Sequence, residues 1–356
     1  MKILQVMAGA THGGAETAFV DMCIALSDAG EQIEIVTRPN PLRVGRLEKA
    51  GITVHELRFG GMWDIYTTLR LKKIIGKFQP HIVQTWMSRA SWKTPSWSKE
   101  DKIQRYFTVA RLGGYYKLKY FKNMDYYTTI TPDIRRYLVE SGIPQERVFH
   151  INNFAEVEEV TRPVHRSDLD TPEDAIVLLA LGRLHKAKGF DTLQQAVKNV
   201  PGVYLWIAGE GPDRAELEAL CAELGLSDRV RFLGWRDDRA ALFQSVDICV
   251  FSSRYEPFGT VFVQAWAQKV PLITTSAEGP LQYVKNGEDA LMVPVDDVAA
   301  LSNAIQCLVS DKELTAKLVY NGYQRYLEEL TCEKTVRSYL TMYHGILEKH
   351  GLVATI

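Results

Sequence analysis

The chain has 356 residues, 46% hydrophobic and 24% charged, with 42 basic and 43 acidic side chains and a formal net charge of −1. That composition excludes a disordered chain and argues against a general nucleic-acid binder, while the length suits two globular units, each large enough for its own core. Five cysteines, Cys23, Cys221, Cys249, Cys307 and Cys332, are too scattered for a disulfide framework or a metal knuckle, and read as small buried residues of a reducing compartment. No secretory signal is expected, and no run of about 18 apolar residues offers a spanning helix, so any membrane contact would be peripheral.

The elements alternate from the start. Residues 3–6 read as a strand that turns through Gly13-Gly14 into an amphipathic helix over 16–30, followed by a strand at 33–37. Strands at 53–57, 81–85, 127–130 and 148–151, with a helix over 67–78, complete an open parallel sheet. The polar stretch 161–174, with Pro163 and Pro172 and no periodicity, reads as a linker. Beyond it, strands are expected at 176–182, 203–209, 230–233, 248–252 and 272–275, with helices over 191–199 and 212–224. Residues 313–352 are helical by composition and either close the second unit or cross back to the first. The domains are therefore expected at 1–165 and 166–335, with a C-terminal helix, 336–356, available to return.

Sheets of this kind take ligands at the carboxyl ends of their strands. Two glycine turns fall there, Thr11-His12-Gly13-Gly14-Ala15-Glu16 and Gly209-Glu210-Gly211-Pro212. Neither completes G-x-G-x-x-G, so each reads equally as a tight turn or as a place where backbone N–H groups approach a phosphate. The segment Leu181-Gly182-Arg183-Leu184-His185-Lys186-Ala187-Lys188-Gly189-Phe190 is sharper, because Arg183 and Lys188 directly follow a strand. Two cations there suit a diphosphate leaving group, whose charge grows as its bond to a sugar breaks. His185 and Lys186 read as exposed loop residues. In Ser252-Ser253-Arg254-Tyr255-Glu256-Pro257-Phe258-Gly259-Thr260 an acid, a glycine and a helix start coincide. Glu256 would accept hydrogen bonds from sugar hydroxyls while N–H groups at Gly259 and Thr260 meet phosphate oxygens; alternatively, Glu256 only complements the helix dipole.

Over nearly the whole chain, these motifs in this order resemble the family 4 retaining glycosyltransferases. The resemblance implies the α/β GT-B fold, two Rossmann-like doubly wound parallel-sheet domains facing a central cleft. It assigns catalytic roles to Arg183, Lys188 and Glu256. It also implies a nucleotide diphosphate sugar, with a UDP-sugar favoured, held by Gly13, Gly14, Gly209, Glu210, Trp235, Phe258, Gly259, Thr260 and Gln264. No cofactor or metal is required: Asp168-Leu169-Asp170 has the spacing of a metal–diphosphate motif but reads as solvated charge in the linker. Gln264 stands where members usually carry a second glutamate that holds the ribose. Gln282 replaces an acid, and Gln84 and Trp86 stand where relatives often have histidines. His12, in the first glycine loop, is expected to touch a substrate, placed here on the acceptor side, or else to be an exposed or structural loop histidine.

Residues 89–122 hold nine basic side chains against two acids, interleaved with aromatics. An anionic membrane surface or acceptor fits this stretch; a solvated basic face over an aromatic core is the plainer alternative. Single-stranded nucleic acid is the rival partner, but no RNP motif accompanies the pattern and none is expected to bind. Within it, Val109-Ala110-Arg111-Leu112-Gly113-Gly114-Tyr115-Tyr116 resembles a segment of lipopolysaccharide core sugar transferases, which implies that Arg111, Gly113 and Gly114 line the acceptor side. The expected protein is thus a cytoplasmic enzyme, peripheral at the inner face of the cytoplasmic membrane. It would move a hexose to a lipopolysaccharide-core or other envelope saccharide with retention. An epimerase or hydrolase on the same fold, or an inactive nucleotide-sugar-binding scaffold, are the alternatives.

Overall fold

The computed structural model describes residues 1–11, 13–61, 63–155, 160 and 162–352. The chain forms two compact units, one made of 1–153 with 332–356 and the other of 154–331. The first holds strands β1 (Lys2–Met7), β2 (Gln32–Thr37), β3 (Thr53–Glu56), β4 (Ile82–Trp86), β5 (Phe107–Leu112), β6 (Tyr126–Thr129) and β7 (Val148–His150). Their order is β3-β2-β1-β4-β5-β6-β7, with every pairing parallel. The second holds β8 (Ile176–Leu181), β9 (Val203–Ala208), β10 (Val230–Gly234), β11 (Ile248–Phe251), β12 (Leu272–Thr275) and β13 (Leu291–Val293). Here the order is β10-β9-β8-β11-β12-β13, again all parallel. Each sheet therefore reverses its winding once, between β1 and β4 and between β8 and β11. Such switch points open a crevice at the carboxyl ends of the strands.

Parallel strands are covered on both faces, so the legible ones are near-continuous apolar runs. Residues 3–7 of β1 and 177–181 of β8 are all buried. β5 was hidden by its composition. All six of its residues are buried, yet Thr108 and Arg111 interrupt the apolar pattern inside a stretch that charge dominates. Thr108 Oγ1 donates to Asp125 Oδ2 at 2.8 Å, which makes the buried hydroxyl tolerable.

Residues 89–122 are consequently no uniform surface. Lys93, Tyr106, Phe107, Arg111 and Phe121 are buried, whereas Arg89, Lys99, Lys102, Arg105, Lys117, Lys119 and Lys122 are exposed. The stretch read as a linker is also bound down. Arg166 Nε donates to Ser245 O at 2.9 Å and its NH2 to Asp247 Oδ2 at 3.0 Å, and Trp206 Nε1 donates to Thr171 Oγ1 at 3.0 Å.

The last helix, Cys332–Lys349, belongs to the first unit. Tyr343 OH donates to Gln84 Oε1 in β4, Tyr339 OH accepts from Arg111 Nε at 3.2 Å, and His350 meets Tyr126 OH at 2.9 Å. Among the described residues no helix is long and apolar enough to cross a membrane.

Candidate active site

At the switch point of the second sheet, the loops after β8 and β11 run side by side. Gly189 sits between them with φ +63°, and a Cβ there would lie 2.2 Å from Ser252 O, so close backbone approach requires glycine. Ser252 Oγ donates to Lys188 O at 2.9 Å, and the N–H groups of Arg254 and Tyr255 donate to Ala187 O at 2.8 and 3.2 Å. This stitching brings two predicted residues together. Lys188 Nζ donates to Glu256 Oε2, in an ion pair whose side chains are 21% and 18% exposed. Arg183, on the same loop, is exposed and has no hydrogen-bond or ion-pair partner among the described residues.

Sequence reasoning missed the clamp behind this pair. Arg254 forks onto Asp191 at 2.8 and 2.7 Å, and reaches Asp296 Oδ1 at 2.6 Å, Thr192 Oγ1 at 2.9 Å and Lys186 O at 2.7 Å. Burial pushes the Asp191 carboxyl up, but hydrogen bonds and charge from Arg254 outweigh it and hold the group below its ordinary range. The hydrogen bonds that Arg254 donates to Asp191 in turn raise the guanidinium above its ordinary range. One signal was available: both motif segments carry an unexplained charge of opposite sign, Asp191 just past Lys188 and Arg254 just before Glu256.

The loop after β9 joins the same edge. A Cβ on Gly209 would lie 1.9 Å from Gly182 O, and Leu184 N donates to Glu210 O at 3.0 Å. The exposed Glu210 carboxylate accepts from Arg214 at 2.7 Å. Trp235, just after β10, is 48% exposed and donates Nε1–H to Asp237 at 2.8 Å. Phe258 differs in kind, because its ring is buried against Phe262 and Tyr283, with centroids 5.4 and 5.1 Å away. Only its backbone faces the loop chemistry. Gly259, at φ +97°, opens the helix Thr260–Ala267, which has no side-chain cap, and Gln264 lies half-buried on that helix. Gln282 Nε2 donates to Glu278 O at 2.8 Å. A separate cavity of about 700 Å³ beside Val164, Asp168, Leu169, Arg236 and Asp238 contains none of the predicted site residues.

Residues 12–159 match the family described as Glycosyltransferase Family 4, and residues 161–325 match Glycosyl transferases group 1. The chain is 35% identical over 334 residues to the lipopolysaccharide core biosynthesis glycosyltransferase LpsE of Rhizobium meliloti, covering 93% of this chain and 95% of that one. The chain belongs to glycosyltransferase family 4. A second relative from the same organism, the lipopolysaccharide core biosynthesis glycosyltransferase LpsD, is 34% identical over 346 residues, covering 96% and 98% of the two chains. The crystal structure of Anabaena HepE in complex with UDP and glucose superimposes with a TM-score of 0.82 at 19% identity, covering 96% and 99%. These likenesses fix the fold as GT-B.

In this family 4 chain the first unit's predicted residues are arranged less simply. Gly13 precedes the helix Gly14–Asp28, and a Cβ on it would lie 2.4 Å from Glu16 Oε2. The other oxygen of Glu16 accepts from Ala10 N at 2.7 Å, so the chain's own carboxylate already takes one loop N–H. Gly14 is exposed; His12 lies outside the described residues. Arg111 is only 3% exposed, its guanidinium 3.9 Å from the Trp86 ring and bonded to Tyr339 OH and Asn153 Oδ1. It braces β5 against the last helix and Asn153. Gly113 and Gly114 follow it, half-buried and buried.

Proposed function

We propose that the protein is a retaining hexosyltransferase that takes its sugar from a nucleotide diphosphate donor, foremost a UDP-sugar. It passes that sugar to a lipopolysaccharide-core or other envelope saccharide. The observation that carries this reading is the Lys188–Glu256 pair at the switch point of the second sheet, beside the unpaired Arg183. An incoming diphosphate competes with Glu256 for Lys188, and the released carboxylate is then free to accept hydrogen bonds from sugar hydroxyls.

As the bond between the anomeric carbon and the diphosphate oxygen breaks, charge grows on the diphosphate. Arg183, Lys188 and the uncapped N–H groups after Gly259 stabilise it. The acceptor oxygen forms its new bond to the anomeric carbon on the same face, and its proton leaves on the diphosphate. Neither a separate base nor a divalent cation is then required. Gln264 holds the ribose through neutral hydrogen bonds. The UDP in HepE supports the donor class, and the names of the Rhizobium relatives support the acceptor class.

We also assign the protein to the cytoplasm, peripheral at the anionic inner face of the cytoplasmic membrane. The seven exposed cations within 89–122 support this, as does the helix Ile65–Phe78. That helix carries Arg70, Lys72, Lys73 and Lys77 without an acid, and exposes Ile65, Tyr66 and Leu69 next to Trp63, which is 87% exposed.

A thermal-shift screen of nucleotide diphosphate sugars identifies the donor, since a ligand that binds only the native state raises apparent stability. Product configuration by NMR, with and without chelator, then tests retention and metal independence. Donor breakdown with no transfer to any envelope acceptor makes it a hydrolase, and binding without turnover makes it a scaffold.

A further inference from the structure

The carboxyl edge of the first sheet gathers arginines without acid partners. Arg38 directly follows β2 and gives all three of its nitrogens to carbonyl oxygens: Nε to Arg58 O at 3.0 Å, NH1 to Gly9 O at 3.3 Å and NH2 to Phe59 O at 2.6 Å. Arg89 lies in the first turn of the helix Met87–Lys93 that follows β4, and donates NH1 to that same Phe59 oxygen at 3.3 Å. One carbonyl thus draws two guanidinium groups together. Phe59 presents it from a left-handed backbone, φ +45°, which a bulky residue adopts only under strain.

Arg43, 5% exposed, lies beneath. It donates to Ala10 O at 3.0 Å and Arg38 O at 3.2 Å, while its buried Nε has no partner among the described residues. Two acids stand near. Glu16 is engaged by Ala10 N, and Asp64 by Gly60 N and by Thr67. Neither lies within ion-pair distance of Arg38, Arg43 or Arg89, whose contacts are the carbonyls named.

Carbonyl oxygens satisfy guanidinium hydrogens but cancel no charge. Burial first, and then the like charge of Arg89, hold Arg38 below its ordinary range. Burial does the same to Arg43, with Glu16 opposing and Arg38 assisting. Arg38 therefore faces like charge from Arg89 and bears on Arg43, at the switch between β1 and β4, where a sheet of this order takes its ligand. Arg38 is half-buried and Arg89 exposed, so both remain approachable.

We propose that Arg38 and Arg89, backed by Arg43, bind an anionic group, phosphate or carboxylate, on the saccharide acceptor. The planar forks suit the paired oxygens of either group, and the bound anion supplies the countercharge that the protein lacks. This rests on the reading that the first unit receives the acceptor, and it narrows the acceptor to a sugar carrying a fixed negative charge.

The test is isothermal titration of inorganic phosphate, methyl phosphate and acetate at constant ionic strength. It compares an Arg183→Ala/Lys188→Ala background, which removes the competing donor cations, with the same protein carrying Arg38→Gln or Arg89→Gln. Each Gln substitution is expected to weaken anion binding about tenfold, while unfolding midpoints report that the variants are folded. The preferred anion, phosphate or acetate, identifies which group the acceptor bears. Binding unaltered in both variants, or no stronger than chloride in the parent, overturns the proposal. If anions bind as expected but no nucleotide sugar stabilises the wild-type protein, the transferase reading fails and the anion site stands.

Discussion

The two sheets share one winding order, yet their carboxyl edges treat positive charge in opposite ways. In the second unit nearly every cation of the candidate site is answered by a carboxylate: Lys188 by Glu256, Arg254 by Asp191 and Asp296, Arg214 by Glu210. In the first, among the described residues, Arg38, Arg43 and Arg89 meet only carbonyls, and Arg111 only a phenol, an amide and an indole face. The second edge is held in shape by its own ion pairs before any ligand arrives. The first carries unbalanced charge, which stabilises an incoming anion at the expense of the free protein.

The contrast breaks most visibly at Lys188 and Arg183. Replacing either with alanine is expected to slow transfer by about two or more orders of magnitude, as for the loss of charge stabilisation on a leaving group, measured as kcat. Turnover close to wild type in either variant would remove that residue from the chemistry. Next in size is Arg254→Ala, which strands Asp191 and Asp296. We expect a loss of about 2 kcal/mol in urea unfolding, only partly recovered by Arg254→Lys because an ammonium lacks the planar fork.

Gln264→Glu should change the dissociation constant of a nucleotide diphosphate about fivefold and kcat by less; identical constants for all nucleotides would discard the ribose contact. On the other side of the comparison, Arg38→Gln relieves repulsion, so its unfolding free energy should stay within about 0.5 kcal/mol of wild type or rise. A loss as large as that of Arg254→Ala would erase the distinction between the two edges. The smallest effect concerns acid. Because the folded Asp191 carboxyl titrates below its ordinary 3.8, its contribution is complete above that value and is lost as pH falls through the folded value. Unfolding followed from about pH 5 downward should therefore flatten slightly in Asp191→Asn.

Much of this was legible because sheets of this kind put their ligand loops directly after apolar strands. Arg183, Lys188 and Glu256 stand out in sequence for that reason, β8 and β11 for their unbroken apolar runs, and β1 for a run that only Gln5 interrupts after Lys2. What stayed hidden depends on partners far apart in the chain. β5 is interrupted by polar residues in sequence and wholly buried in space, because Thr108 and Arg111 are satisfied by Asp125 and, 228 positions on, Tyr339. Arg254 lies 63 residues from Asp191 and 42 from Asp296, so the clamp has no local pattern. Nor does the cluster of Arg38, Arg43 and Arg89 follow any motif, since the segments after two different strands, β2 and β4, deliver it. Phe258 illustrates the reverse case, a motif residue whose ring the fold uses to fill its core.

The helix Cys332–Lys349 has a consequence for synthesis. Residues 1–153 of the first unit emerge first from the ribosome, but the phenols that bond Gln84 Oε1 and Arg111 Nε are those of Tyr343 and Tyr339, translated only after the second unit is complete. Until that helix is made, Gln84 Oε1 and Arg111 Nε lack the phenols that meet them in the folded unit. The half made first is therefore finished last, and a nascent chain stalled before Cys332 would present a folded second unit behind an incomplete first.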